Sequence, residues 1–434
     1  MPAKKKGVSM TGPPQKGIKN LRMKKKMRVN MTKPPAPGER KAMRKRVVFS
    51  NTNALVVPGL QDVNAQNCVQ SGLEGQVLGI PGPTIDQLTA VGAFQSSQGW
   101  RFFRRPAALV RRETAEMARL IADVESVESR RTMRKILVGE QGSGKSTLVL
   151  QTMAMAFLRG WVVINFPDAQ ELAISHTEYG PIPGTNPTQY SQKIYTADLL
   201  SQVARANRPV LSKLQISQKH NLPVPVQRNI SLDRFAEQGA SDPELAWPFF
   251  QALWSELMQP STGDGVNRPP VMLALDGVHH IMKNSNYMSA DFKPIHAHDL
   301  ALVSFFTSYL SGSQSLANGG LVIAAVSESN RPNSESLDFA IGSNEAAQQG
   351  QQEQMPYWDP YKKLDDRVMQ SMSGVEVLRL GGLSKGDAKA IMEYYAKSGM
   401  LRQSVSDALV AEKWALSGRG IIGALEKNSV MWRL

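Results

Sequence analysis

The chain has 434 residues, 41% of them hydrophobic, enough for one large core or two modest ones. A single cysteine, Cys68, excludes an intrachain disulfide and any Cys-based zinc site, and no apolar run approaches the ~18–20 residues that cross a bilayer, so no membrane span is expected. The formal charge of +14 belongs to one segment: residues 1–46 hold 16 of the 51 Lys and Arg and one of the 37 acidic residues, Glu39, which leaves 35 basic against 36 acidic residues elsewhere.

Residues 1–50 form a basic arm. Pro13, Pro14, Pro34, Pro35 and Pro37 punctuate it and no aromatic precedes Phe49, so it cannot build a core. Cations at this density favour a polyphosphate partner, because each phosphate neutralised releases condensed counterions. Lys4, Lys5, Lys6, Lys24, Lys25, Lys26, Arg28, Arg40, Lys41, Arg44, Lys45 and Arg46 are the expected RNA-contacting residues. An acid-poor arm also suits an import signal, although it is rich in Lys and Pro rather than in amphipathic Arg and Ser. Residues 51–106, rich in Gly, Gln and Pro, read as an extended segment draped over the body. Within it, Trp100-Arg101-Phe102-Phe103-Arg104-Arg105-Pro106 suits either an RNA surface or a packing anchor. A helix is predicted from Ala107, with Met117, Leu120, Ile121, Val124 and Val127 on its apolar face.

The next stretch carries the chemistry. Lys135 to Val138 reads as a buried strand and Leu148 to Leu158 as a helix, and between them Gly139-Glu140-Gln141-Gly142-Ser143-Gly144-Lys145-Ser146-Thr147 fits the phosphate-loop pattern GxxxxGK(S/T). Its glycines let backbone N–H groups turn around a phosphate at a helix N-terminus, where the helix adds roughly half a positive charge. The expected phosphate-binding residues are Gly139, Gln141, Gly142, Ser143, Gly144, Lys145, Ser146 and Thr147. Lys145 would reach the β and γ phosphates, and Ser146 would offer its hydroxyl to Mg2+.

Gly160 to Phe166 reads as the next strand. Residues 167–270 are a proline-spotted helical insertion, with helices near Ala197–Ala206 and Pro243–Met258. Trp247, Phe250, Leu253, Trp254 and Leu257 share one face of the latter. The strand Val271 to Asp276 then delivers a carboxylate at its C-terminal edge, where a Walker B aspartate orients the water shell of Mg2+. A helix from Leu300 to Phe306 and a strand from Gly320 to Ser327 follow, with Ser327 placed to read a γ phosphate. Residues 328–360 read as a surface loop, and Val375 to Leu380 as the last strand. In residues 381–434, a helical lid, Ser384 and Asp387 stand near capping-box spacing ahead of Ala388, Ile391 and Tyr395. His279, His280, His296 and His298 cluster in sequence, but with no cysteine partner they read as loop and helix residues, and no structural metal is expected.

This order describes an α/β P-loop NTPase of the AAA-like division, a mostly parallel sheet between helices, spanning residues 107–380 ahead of the lid. Vigorous ATPases of this division place Glu after the Walker B Asp to orient the attacking water. Gly277 stands there, and glycine can neither accept a proton nor hold a water. His279, His280 and Glu140 are the candidate substitutes, and Arg419 is the best candidate for a lid arginine sensing the γ phosphate. The expectation is a purine nucleotide (GTP/GDP or ATP) bound with Mg2+ and turned over slowly or never. An active AAA-type ATPase on nucleic acid and an NTPase signalling switch are the alternatives. No guanine-reading NKxD signature is present, so the base stays open.

From about residue 100 onward the sequence resembles the death-associated-protein-three family, the nucleotide-binding P-loop protein of the mitochondrial small ribosomal subunit. The resemblance rests on Arg104-Arg105-Pro106-Ala107, Gly139 to Thr147, Trp161 to Ala169, Ala274-Leu275-Asp276-Gly277-Val278, Leu300 to Val303, Gly319 to Val322 and Met392 to Tyr395. The Asp276-Gly277 pair discriminates most, because a generic AAA ATPase differs there. The resemblance implies a mitochondrial matrix location in the mitoribosome. It also implies contacts to small-subunit ribosomal RNA and neighbouring mitochondrial ribosomal proteins, a bound purine nucleotide traditionally called GTP, and no homo-oligomer.

Overall fold

In the computed structural model, residues 47–69, 71–126, 131–227, 229–261, 267–350 and 356–430 are described. The basic arm with all its expected RNA-contacting residues, and Val127, lie outside them. Eleven strands occur among the described residues. They are β1 (Val77–Gly79), β2 (Ala107–Leu109), β3 (Thr132–Gly139), β4 (Val162–Phe166), β5 (Gly180–Pro181), β6 (Tyr190–Ser191), β7 (Val271–Asp276), β8 (Asn284–Met288), β9 (Pro294–His296), β10 (Gly320–Ala325) and β11 (Glu376–Leu380). Five of them make the central sheet, in the order β11-β3-β10-β7-β4, and every neighbouring pair is parallel. The rest form antiparallel pairs, β1 with β2, β5 with β6 and β8 with β9.

Parallel pairing explains why β7 and β10, at the middle of the sheet, read as apolar runs: helices cover both faces, and alternate residues enter different cores. Leu273 and Leu275 of β7, with Val322 and Ala324 of β10, join one core. Met272 and Ala274, with Leu321, Ile323 and Ala325, join the other. The first core is closed by helices Lys193–Ala206, Leu232–Ser241, Ala246–Leu257 and Ala301–Leu310, so residues 167–270 supply a covering layer of the sheet. The second is closed by helices Arg112–Glu125 and Lys145–Leu158. In Ala246–Leu257 the expected face is extended by Phe249, wholly buried, while Trp247 and Trp254 are half-buried.

Three sequence expectations are corrected. The 51–106 segment is not merely extended: β1 pairs with β2, and helix Gly82–Ala90 packs on helices Lys145–Leu158 and Lys193–Ala206 with Leu88 fully buried. Its apolar residues are too sparse to announce a helix, and tertiary packing stabilises it; Pro83 is tolerated because first-turn N–H groups have no intrahelical partner. The helix predicted from Ala107 begins at Arg112, since Ala107–Leu109 is strand. Residues 328–360 are not all loop, because Glu335–Gln348 is a helix whose buried face mixes Leu337 and Ile341 with small Ser336, Ala340 and Ala346, a pattern of weak hydrophobic contrast.

The Trp100-to-Pro106 run is a packing anchor. Trp100, Phe102 and Phe103 are buried; Phe103 stacks on Tyr395 with centroids 5.4 Å apart, and Arg105 pairs with Asp62 at 2.7 Å. Phe103 thereby joins the core of the C-terminal module, helices Lys385–Lys397, Asp407–Leu416 and Ile422–Ser429. Ser384 caps the first of these, its Oγ accepting from the Asp387 N–H at 3.1 Å.

Helices Leu232–Ser241 and Ala246–Leu257 meet closely at Gly239, where a Cβ would stand 2.4 Å from the Phe249 Cβ. That atom moves only with its own helix. Gly239→Ala is therefore expected to destabilise the fold by about 1–3 kcal/mol in denaturant titration despite alanine's better helix propensity, and a neutral result would contradict this packing.

Candidate functional site

Strand β10 lies between β3 and β7, so the phosphate-loop strand and the Asp276 strand end side by side with β10 separating them. Ala325 is in register with both Leu137 and Asp276, and the Gly277 N–H donates to the Ala325 carbonyl at 2.9 Å. The loop from Gly139 to Lys145 leaves this edge through backbone that only glycine adopts freely: Gly142 has φ +77° and Gly144 φ +98°. Gly139 is required for space, since a Cβ there would lie 2.4 Å from the Leu380 carbonyl oxygen.

Lys145 is buried. Its Nζ donates to the carbonyls of Gly139 at 2.6 Å and Glu140 at 2.8 Å, spanning its own loop. Burial lowers its pKa against the opposing pull of Glu328 and Asp276, so the site favours an anion that restores the ammonium's lost solvation. Ser143 is wholly buried, and its Oγ has no hydrogen-bond partner among the described residues. Ser146 Oγ donates to Asp276 Oδ2 at 2.6 Å, joining the two motifs. Burial pushes the Asp276 pKa up, while the Ser146 and Gln95 hydrogen bonds hold it down. Left-handed glycines, an orphaned buried hydroxyl, a lysine on loop carbonyls and a hydroxyl–carboxylate pair fit a polyphosphate with a hard divalent cation. Lys145 and the loop would hold the phosphates, and Ser146 with Asp276 would hold the ion.

Other predicted residues stand apart. Gln141 is exposed, and Thr147 is half-buried just inside the helix. Ser327 is half-buried just past β10, its Oγ 3.2 Å from Ser329 Oγ. Arg419 is exposed at φ +62°, with no side-chain partner among the described residues, and its backbone carbonyl rather than its guanidinium packs inward, against Gly382. Glu140 is exposed; His279 Nε2 turns to Asp338 at 3.3 Å, and the His280 ring lies against Gly277. His296 pairs with Asp365 at 3.1 Å, and burial lowers the His298 pKa to about 3.

Four residues escaped the sequence reading. Gln95 donates from Nε2 to Asp276 Oδ2 at 2.7 Å, from a Gln-rich stretch with no motif to flag it. Arg111 donates to the carbonyls of Ser143 at 2.7 Å and Gly381 at 2.9 Å, and pairs with Glu113 at 3.2 Å. The Arg111 N–H donates to Thr114 Oγ1 at 3.3 Å at the true helix start, where an arginine N-cap carries no sequence signature. Glu328 and Arg331, in the loop after β10, act electrostatically on Lys145; Arg331 pairs with Glu328 at 2.9 Å and also with Asp338.

The C-terminal module touches the phosphate loop itself. The Gly423 N–H donates to the Gly142 carbonyl at 2.9 Å, and Ile422 approaches Gly144. Residues 108–428 match the model of the family described as mitochondrial ribosomal death-associated protein 3. The chain belongs to that family. Membership carries a mitochondrial, ribosomal location. Small ribosomal subunit protein mS29 of Neurospora crassa is 42% identical over 89% of this chain and 81% of its own. The mS29 of Schizosaccharomyces pombe is 22% identical over 80% of this chain and 69% of its own, and that of Bos taurus 22% over 52% and 55%.

One turn beyond Gly423, Glu426 wedges its carboxyl against Gly99, where a Cβ would stand 1.7 Å from Oε1. No donor among the described residues reaches that carboxyl, and burial pushes its pKa up to about 7. A raised carboxyl pKa contributes stability that is complete below the ordinary value and lost as pH climbs through the folded one. Glu426→Gln is therefore expected to flatten the dependence of melting temperature on pH between 5 and 8, and to stabilise the protein by about 1–2 kcal/mol at pH 8. An unchanged pH profile would show that this carboxyl is not held unpaired.

Proposed function

We propose that this chain is a structural component of the mitochondrial small ribosomal subunit, in which a purine nucleotide (GTP/GDP or ATP) with Mg2+ is a stabilising ligand rather than a fuel. The basic arm would follow the phosphates of ribosomal RNA, and the folded body would meet neighbouring ribosomal proteins. The observation that carries this reading is the dual use of the phosphate loop. Gly142 accepts from Gly423 of the last helix, and Ser143 accepts from Arg111, which also grips Gly381 at the end of β11. Phosphates seated on that loop would tighten three parts of the chain together.

Gly277 supports the same reading. Its φ of +82° favours glycine, and glycine puts no carboxylate directly after Asp276. Arg331, in the loop after β10, is engaged by both Glu328 and Asp338. The names of the mS29 relatives support a small-subunit role, and the charge partition supports RNA contact, since nearly all the excess charge is in the arm.

Nucleotide released from the purified protein on denaturation is expected to be a purine di- or triphosphate by mass spectrometry. Millimolar GTP or ATP with Mg2+ is expected to stabilise by about 4 kcal/mol at a thousandfold excess over Kd. Lys145→Ala should abolish that gain, and multiple turnover should stay well below about one per second. A wild-type protein that neither retains nucleotide nor gains melting temperature would refute the proposal; turnover at or above that rate would favour the active ATPase.

A further inference from the structure

The Asp276 carboxylate is contacted by a residue that belongs to neither nucleotide motif. Residues 93–99 form a short strap fastened at both ends. The Ala93 N–H donates to the Leu88 carbonyl at 2.9 Å, at the end of helix Gly82–Ala90. Gln98 Oε1 accepts from the Gln95 N–H at 3.0 Å and from Trp100 Nε1 at 2.5 Å. The Phe94 ring is held edge-on between Phe49 and Trp100, with centroids 4.5 and 5.3 Å away.

Held this way, the strap aims Gln95 at the ion side of the loop. Its Nε2 lies 2.7 Å from Asp276 Oδ2, the oxygen that also takes the Ser146 hydroxyl at 2.6 Å. An ionised carboxylate can only accept, so the NH2 side of the amide faces it. The Oε1 on the same planar group receives no hydrogen bond from any described residue. Mg2+ in phosphate-loop sites keeps several of its waters, and those waters are donors in need of fixed acceptors.

We propose that Gln95 is a magnesium-shell residue: its NH2 group fixes the Asp276 carboxylate, and its Oε1 accepts from a water of the ion. This rests on the reading of the loop as an Mg2+–nucleotide site and goes beyond it by assigning the metal dependence of binding to a residue outside both motifs. The amide suits a retained nucleotide. It orients water without being able to take its proton, so it positions the ion and adds no general base. A glutamate would instead set a second negative charge against Asp276 whenever the ion is absent.

The test uses the full chain and fluorescent methylanthraniloyl-GDP and -ADP, titrated in millimolar Mg2+ and again in EDTA. Wild type is expected to bind more tightly with Mg2+. Gln95→Ala should lose about tenfold of that Mg2+-dependent gain and need about tenfold more Mg2+ for half-effect, while its EDTA affinity stays within about twofold. Gln95→Met, which keeps the length and apolar contacts of the side chain without the amide, should behave the same and guards against a folding defect in the first variant. Wild-type Mg2+ dependence in both variants would overturn the proposal. So would an equal loss in Mg2+ and EDTA, which would make Gln95 a strap residue only. Wild type that binds with no Mg2+ effect would sink this proposal alone, whereas wild type that binds neither probe would sink the nucleotide reading and this inference with it.

Discussion

A carboxylate brought into the protein at the end of a central strand constrains everything around it. Asp276 is carried there by β7, whose other five residues are fully buried, so the acid cannot retreat to solvent without dismantling the sheet. A buried charge must be hydrogen-bonded or neutralised. Ser146 and Gln95 supply the hydrogen bonds, which draws the phosphate-loop helix and the 93–99 strap to the same oxygen. The strap runs on to Gly99 and so to Glu426 of the last helix, which in turn touches the phosphate loop through Gly423. One costly group thus organises a closed circuit of contacts between segments far apart in sequence.

The legible parts of this arrangement were those in which local pattern and tertiary role coincide. β7 and β10 are buried on both faces, so each appears as an apolar run; β3 shows only the short run Ile136 to Val138, but the phosphate loop that follows is contiguous and rich in glycine. Ser384 and Asp387 mark a helix start because capping is settled within three residues. Gln95 and Arg111 were hidden for the opposite reason. Their roles are set by partners 181 and 32 positions away, and nothing in their neighbours announces it. The helices Gly82–Ala90 and Glu335–Gln348 were missed on similar grounds: both have little hydrophobic contrast and depend on neighbours for stability.

The position after Asp276 separates two uses of one fold. A glutamate in the left-handed conformation of Gly277 would carry backbone strain, although its Cβ would make only ordinary contact, 3.5 Å from the His280 ring. Glycine removes the strain and the base with it. The groups hydrogen-bonded together at Asp276 are a hydroxyl, an amide and that carboxylate, and on the proposed reading they would hold and orient the ion.

On the proposed reading such a site would keep a ligand rather than consume it. The body is near charge balance, so attraction to RNA phosphates would fall to the first 46 residues and the folded body would meet its neighbours through shape. The C-terminal module touches the phosphate loop through a hydrogen bond between two glycines and carries a carboxyl that no described donor reaches in helix Ile422–Ser429. A polyphosphate on that loop would add charge-assisted hydrogen bonds beside this contact. Selection for rigidity alone would then retain the loop, the lysine and the aspartate while allowing the catalytic glutamate to be lost.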